Sequence, residues 1–289
     1  MNRTVLAAAC GLILAAGSAM AQAGLDLLDV MKVRVRYDKA TEYEDGVKKL
    51  AEANRKYKGD HWIAFSVEYG EQGTFYFSSP RENLAAIETG SAAFGNALKE
   101  GLGPAGDKLM QSLYADSAAV ETELRHRRWD LSVHPPADQV EAAKAVAQAR
   151  WIRALRVSLK PGKSLEFAQA WKPFQSQLDK VYPPISVWVS EASTGTSAIY
   201  FASYYRNMAE MDSASAAVQS VLASEEYQRL MRGLSDDASG SRWEIYRLRP
   251  ELSCVPEELA ELDPAFWTPK PPAAAAPKPK PSAPPPAKK

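Results

Sequence analysis

Tyr76 and Tyr200, with a set of charged residues spaced two apart on short apolar segments, are the side chains with most scope for chemistry. Arg34, Arg36, Arg128, Lys160 and Arg242 alternate with apolar neighbours, as do Glu68, Asp130 and Glu244, and Ser66, Trp188 and Ser190 are read on the same face. Two phenols among guanidinium, ammonium and carboxylate groups suit a small polar, anionic, aromatic or quinone-like ligand, because they supply both donors and acceptors. The same residues would serve equally as cross-strand ion pairs on one face of a sheet. Metal and nucleophile chemistry lack their patterns. His61, His126 and His134 are scattered, and beyond residue 23 the only cysteine is Cys254, which leaves no thiolate cluster and no internal disulfide. The chain has no G-x-S-x-G elbow, no Cys/His arrangement and no phosphate-cradling glycine loop. Gly101, Gly103 and Gly106 flank Pro104 and read as a turn. No metal or cofactor is expected.

An internal repeat organises the elements that must hold these residues. Shifted by 124 positions, residues 32–88 lie over 156–212 without a gap, with eleven identities that include Lys39/Lys163, Tyr76/Tyr200, Phe77/Phe201 and Asn83/Asn207. Tyr43, Val47, Leu50, Asn54 and Tyr57 fall on one helical face, and Phe167, Trp171, Phe174, Leu178 and Val181 repeat the same steps. Gly59-Asp60 and Pro183-Pro184 stop both helices at equivalent places. Period-two alternation predicts strands around Val33–Tyr37, Ile63–Tyr69 and Phe75–Phe77, and again around Val157–Leu159, Val187–Val189 and Ile199–Phe201. The apolar residues of these strands, Phe65 and Val67 among them, are expected to pack under the helices. Closing strands are placed at Arg128–Leu131 and Arg242–Ile245, a spacing of 114, with Trp129 and Trp243 as core residues. Each unit then reads β-α-β-β-α-β, a ferredoxin-like arrangement in an α+β protein.

The pattern over roughly residues 32–249 resembles the dimeric α+β barrel superfamily, which includes the antibiotic-biosynthesis monooxygenase, EthD and NIPSNAP groups. The resemblance rests on topology and repeat, and no family motif transfers a catalytic residue. It implies two antiparallel sheets pairing into a barrel around a central space; since one chain holds both units, a monomer is expected. Some relatives, such as the chlorite dismutase-like proteins, bind haem through a histidine in the second unit; here the second unit has none. A deep inter-sheet cavity touching Tyr76 and Tyr200 would favour ligand binding or oxygenase-like chemistry, whereas arginine-carboxylate pairs filling that space would favour a structural role.

Composition sets the surroundings. Arg3, the apolar run Val5–Ala16 and an A-x-A site predict a signal peptide over residues 1–23, cleaved near Ala21 or Ala23, and hence a periplasmic or secreted protein. The predicted units span 24–135 and 151–250, joined by a helix over 136–150; residues 251–268 form a clasp in which Phe266 and Trp267 dock. Residues 269–289 hold five lysines, nine prolines and no acid, and read as an extended, disordered arm. Removing those lysines and Arg3 leaves 29 basic against 35 acidic residues, which argues against nucleic-acid binding. No later segment predicts a membrane span. The readings that follow are a small-ligand-binding or interaction module with an inter-sheet cavity, a cofactor-independent oxygenase-like enzyme acting on an aromatic or quinone-like compound, and an envelope-associated structural protein whose basic arm meets an anionic surface.

Overall fold

A computed structural model of the protein describes residues 26–268; the predicted leader and the proline- and lysine-rich arm lie outside these residues. The first half contains β1 (Leu27–Val35), α1 (Ala40–Lys56), β2 (Ile63–Tyr69), β3 (Thr74–Arg81), α2 (Ala85–Leu102), α3 (Pro104–Asp116) and β4 (Ser117–Arg127). After α4 (Gln139–Gln148), the second half contains β5 (Trp151–Leu159), α5 (Ser164–Leu178), β6 (Trp188–Ala192), β7 (Ala198–Tyr205), α6 (Met208–Leu222), α7 (Glu225–Asp237) and β8 (Ala238–Leu248). Two short helices, α8 (Glu257–Ala260) and α9 (Pro264–Trp267), follow. Among the described residues no helix is long and apolar enough to cross a membrane.

The strands close into one antiparallel barrel in the order β1-β3-β2-β8-β5-β7-β6-β4. Each half supplies four adjacent strands, and the halves meet along β2–β8 and β4–β6. Closure leaves no free sheet edge. Corresponding strands lie four places apart in an alternating ring, so they run in the same direction and both hairpin tips share one end of the barrel. The helices cover the outside. Val33, Phe75 and Phe77 pack with Tyr43, Val47 and Leu50 of α1, while Val157, Ile199 and Phe201 pack with Phe167, Trp171 and Phe174 of α5. Asn54, on the apolar face of α1, is buried because it closes that helix: its amide donates to the Asp60 carbonyl at 2.6 Å and accepts from the Asp60 N–H at 3.1 Å. Gly59 is required beside it, since a Cβ there would lie 2.0 Å from the Asn54 Oδ1.

The segments after β4 and β8 cross to the opposite half. Leu131 and Val133 join the core of the second half, and Leu252 joins that of the first. The Leu131 carbonyl accepts the Trp171 indole N–H at 2.7 Å, and the Leu252 carbonyl accepts that of Trp62 at 2.7 Å. Ser132 Oγ accepts the Val189 N–H at 2.9 Å, and Ser253 Oγ accepts the Ala64 N–H at 2.8 Å. Each half is therefore completed by the other half's tail.

Four sequence expectations need correction. The first closing strand is Ser117–Arg127, whereas Trp129–Leu131 form a 3-10 turn. The strand β8 starts 121 residues after β4, so the closing spacing is 121 rather than 114. Trp243 lies on the outer face and is 56% exposed, outside the core. The strand β2 also faces the other way. Ala64 and Ser66 pair with Phe77 and Phe75 on the helix side, whereas Ile63, Phe65 and Val67 point into the barrel. Both faces of a covered barrel strand are buried, so apolar alternation identifies a stripe but not the side on which it packs.

Candidate functional site

Two environments could engage a ligand: the barrel interior and the space between sheet and helices. The interior is graded along its length. At the end opposite the hairpin tips, Leu28, Val30, Ile152 and Leu248 pack against Ala149 and the α9 residue Trp267, which plugs that end. The Trp267 indole N–H donates to the Ala147 carbonyl at 2.9 Å.

Midway, Tyr76, Tyr246 and Phe65 form an aromatic cluster with ring centroids 5.1–5.5 Å apart. Glu244, only 5% exposed, accepts from the Tyr76 hydroxyl at 3.3 Å, the Tyr246 hydroxyl at 3.0 Å and the Glu71 N–H at 3.3 Å. Tyr200 donates to Glu123 at 2.7 Å and accepts from Arg156 Nε at 3.0 Å. The Arg125 guanidinium lies 3.5 Å from the Tyr200 ring centroid and bonds Glu123 at 3.1 Å. Burial drives the Tyr76, Tyr200 and Tyr246 phenols above their ordinary range, so all three stay protonated donors at neutral pH.

At the hairpin end, Glu71 reaches from the β2–β3 tip to Lys32 at 2.8 Å, Arg242 at 2.8 Å and Arg34 at 3.2 Å. Hydrogen bonding from Lys32 leads the effects that hold the Glu71 carboxyl below the usual carboxylate range, and Arg242 and Arg34 reinforce it.

The structure brings together only part of the sequence-derived set. Tyr76, Tyr200, Trp188, Ser190 and Glu244 are buried on the inner face, with Arg34 and Arg242 at its open end. Ser66 is buried on the outer face and donates to Glu68 at 2.8 Å. Arg36 pairs with Asp38 at 3.7 Å beyond the end of β1, and Lys160 donates to the Asp236 carbonyl at 2.6 Å beyond β5. Arg128 is held by Asp130 at 2.9 Å and by Glu191, after β4 has ended. Ser66 and Glu68 stand outside the barrel interior because the inner phase of β2 differs from that predicted, Arg128 because β4 ends before it, and Arg36 and Lys160 because they lie past the ends of β1 and β5. Lys32, Glu71, Glu123, Arg125 and Arg156 are interior or mouth residues that sequence reasoning missed. The alternation Glu121-Glu123-Arg125-Arg127 was the available signal for β4.

Outside the sheet, the two halves carry matching pockets. One, of about 400 Å³, lies between β5, β7 and β8 and helices α5, α6 and α7. The other, of about 530 Å³, lies between β1, β3 and β4 and helices α1, α2 and α3. Residues 124 apart line both, including Val33/Val157, Tyr43/Phe167, Phe77/Phe201 and Ser79/Ser203. The polar ends differ. In the first half Arg81 is clamped by Asp60 at 2.7 Å and Asp29 at 3.2 Å, and its Nε has no hydrogen-bond partner among the described residues. In the second half Arg153 and Tyr205 stand where Asp29 and Arg81 stand in the first.

Comparison with known proteins gives a fold and no family. No family model matches the chain, and no curated protein matches it. An anthrone oxidase-like protein superposes with a TM-score of 0.51 at 10% identity, over 80% of this chain and 94% of that one. A proposed monooxygenase from Lactobacillus acidophilus NCFM gives a TM-score of 0.45 at 12% identity, over 78% and 94%. A proposed chlorite dismutase gives 0.45 at 8% identity, over 78% and 95%. The mixed α+β chain and its closed eight-stranded antiparallel barrel match the dimeric α+β barrel type. At these identities the likeness concerns fold alone.

Proposed function

We propose that the protein is an exported binding module that holds small apolar or aromatic molecules between its helices and its barrel, within two copies of one ferredoxin-like unit. The observation that carries this reading is the pair of matching pockets, each lined mainly by aromatic and aliphatic side chains and within the roughly 300–1,000 Å³ range of small-molecule sites. The inter-sheet cavity expected from the sequence is a weaker candidate. Its space is taken up by the Tyr76–Glu244–Tyr246 cluster, the Tyr200–Glu123–Arg125 cluster and the Glu71 ion pairs, an arrangement that suits packing. The pocket in the second half has one basic side chain and no carboxylate or histidine in its lining, which supports retention of a ligand over acid-base turnover.

Titration with a neutral fluorescent amphiphile, N-phenyl-1-naphthylamine, tests the reading. Saturable binding should approach two sites per chain. Ala214→Phe, which fills one pocket, and Ser91→Phe, which fills the other, should each remove about one site. Absent binding, or binding unchanged in both variants, would refute the proposal. The same preparations should be followed for oxygen uptake with anthrone and hydroquinone, since an anthrone oxidase-like protein shares the fold. Uptake that Ala214→Phe or Ser91→Phe abolishes would replace binding with an oxygenase reading.

A further inference from the structure

Arg153 is a cation at the end of an apolar pocket without a carboxylate to answer it. Its guanidinium donates to Ser215 Oγ at 2.8 Å and lies 4.6 Å from the Trp243 ring centroid. Among the described residues it makes no ion pair. Glu210, whose charge reaches the neighbouring Tyr205, is engaged by Arg206 at 3.2 Å. Ser203 pairs with Arg153 across β5 and β7, so hydroxyl groups of Ser203, Ser215 and Tyr205 gather around the guanidinium. From Arg153 the pocket runs along β5 past Leu155 to Val157, over roughly 13 Å at about 3.3 Å per residue. Its far walls are Phe167, Trp171, Phe201 and Leu230.

We propose that the second-half pocket binds an anionic amphiphile, a medium-chain or aromatic carboxylate whose head group meets Arg153 and whose apolar body lies against α5 and α7. This rests on the binding reading above and adds a ligand class to one of its two sites. A guanidinium presents parallel donors that match a carboxylate, and charge-assisted bonds of this kind are stronger than neutral ones. Tyr205 supplies a further hydroxyl to the same group, while Ser215, whose hydroxyl donates to the Met211 carbonyl at 2.8 Å, accepts from Arg153 and orients it. The first-half pocket provides an internal contrast. Asp29 replaces Arg153, and the Arg81 there is already neutralised by Asp60 and Asp29, so an anionic head would meet excess negative charge.

The experiment compares decanoate with decanol by calorimetric titration of the intact protein, below the micellar range of either. Decanoate should bind at one site per chain, at least about tenfold tighter than decanol binds that site. Arg153→Met should cost decanoate about that tenfold and leave decanol unchanged, and Arg153→Lys should restore part of the preference. Decanol binding as tightly as decanoate, or decanoate insensitive to Arg153→Met, would overturn the assignment while leaving the general binding reading intact. Binding of neither molecule, nor of the naphthylamine, would remove both. If Arg153→Met loses its cooperative melt, Ser215→Ala takes its place; unchanged decanoate affinity there would count against the site, and a selective loss would support it.

Discussion

Truncating Leu131 to alanine should loosen the half of the barrel to which Leu131 does not belong. Leu131 follows β4, yet its fully buried side chain packs in the core formed by α5, β5, β6 and β7. Removing three buried carbons at about 0.8 kcal/mol each costs roughly 2.4 kcal/mol. Incomplete collapse of the resulting cavity raises the expected loss to about 2.5–5 kcal/mol, a large share of the roughly 5–15 kcal/mol that holds a typical domain folded. The backbone bond from the Trp171 indole to the Leu131 carbonyl survives the change, so packing is tested separately from hydrogen bonding. Urea unfolding should show a lower midpoint with an unchanged slope. Native-state hydrogen exchange should then show protection falling first in α5, β6 and β7, before β1 and β3. The quasi-equivalent Leu252→Ala should reverse the pattern, exposing α1, β2 and β3. Loss of protection confined to β1–β4 in Leu131→Ala, or destabilisation below about 1 kcal/mol, would refute the reciprocal closure of the two halves.

Other expectations concern single groups. Gly90 packs on the Arg81–Asp60 pair, where an added Cβ would lie 2.5 Å from Arg81 Nη1 and 2.6 Å from Asp60 Oδ1; Gly90→Ala should therefore destabilise by about 1–3 kcal/mol in a thermal melt, and a neutral result would contradict this contact. The Cys254 thiol is buried and its pKa is pushed up to about 12 by that burial, so it should resist a disulfide reagent at pH 8 until urea unfolds the chain; prompt labelling of native protein would show the site is open. Glu71 is held below the ordinary carboxylate range in the folded protein, so its contribution is present above the unfolded carboxylate pKa and is lost as pH falls through the lowered folded value. Wild type should melt above Glu71→Gln at pH 7, and the gap should close as the medium is acidified below the usual carboxylate range. A gap independent of pH would mean that the three cations do not depend on the Glu71 charge.

What the sequence by itself determined was local and periodic. The apolar face of α1 through Tyr43, Val47 and Leu50, its counterpart through Phe167, Trp171 and Phe174, and the matched tyrosines at 76 and 200 follow from spacing alone. A 3.6-residue stripe has one buried side, so the helix pattern carries its own orientation. The strands do not, because barrel closure buries both faces. Only tertiary structure decided that Phe65 looks inward with Tyr76 while Ala64 looks toward the helices. Likewise, no local rule sends Leu131 and Leu252 into opposite halves, since those contacts join residues far apart in the chain. The pocket polarity is the same kind of fact. Asp29 and Arg153 occupy corresponding places, and each reads as an ordinary strand residue. Folding brings Asp29 to Arg81 at 3.2 Å, while among the described residues Arg153 meets hydroxyl and indole groups. Charge balance at such a site is a sum over neighbours in space, and those neighbours are chosen by how the sheets close.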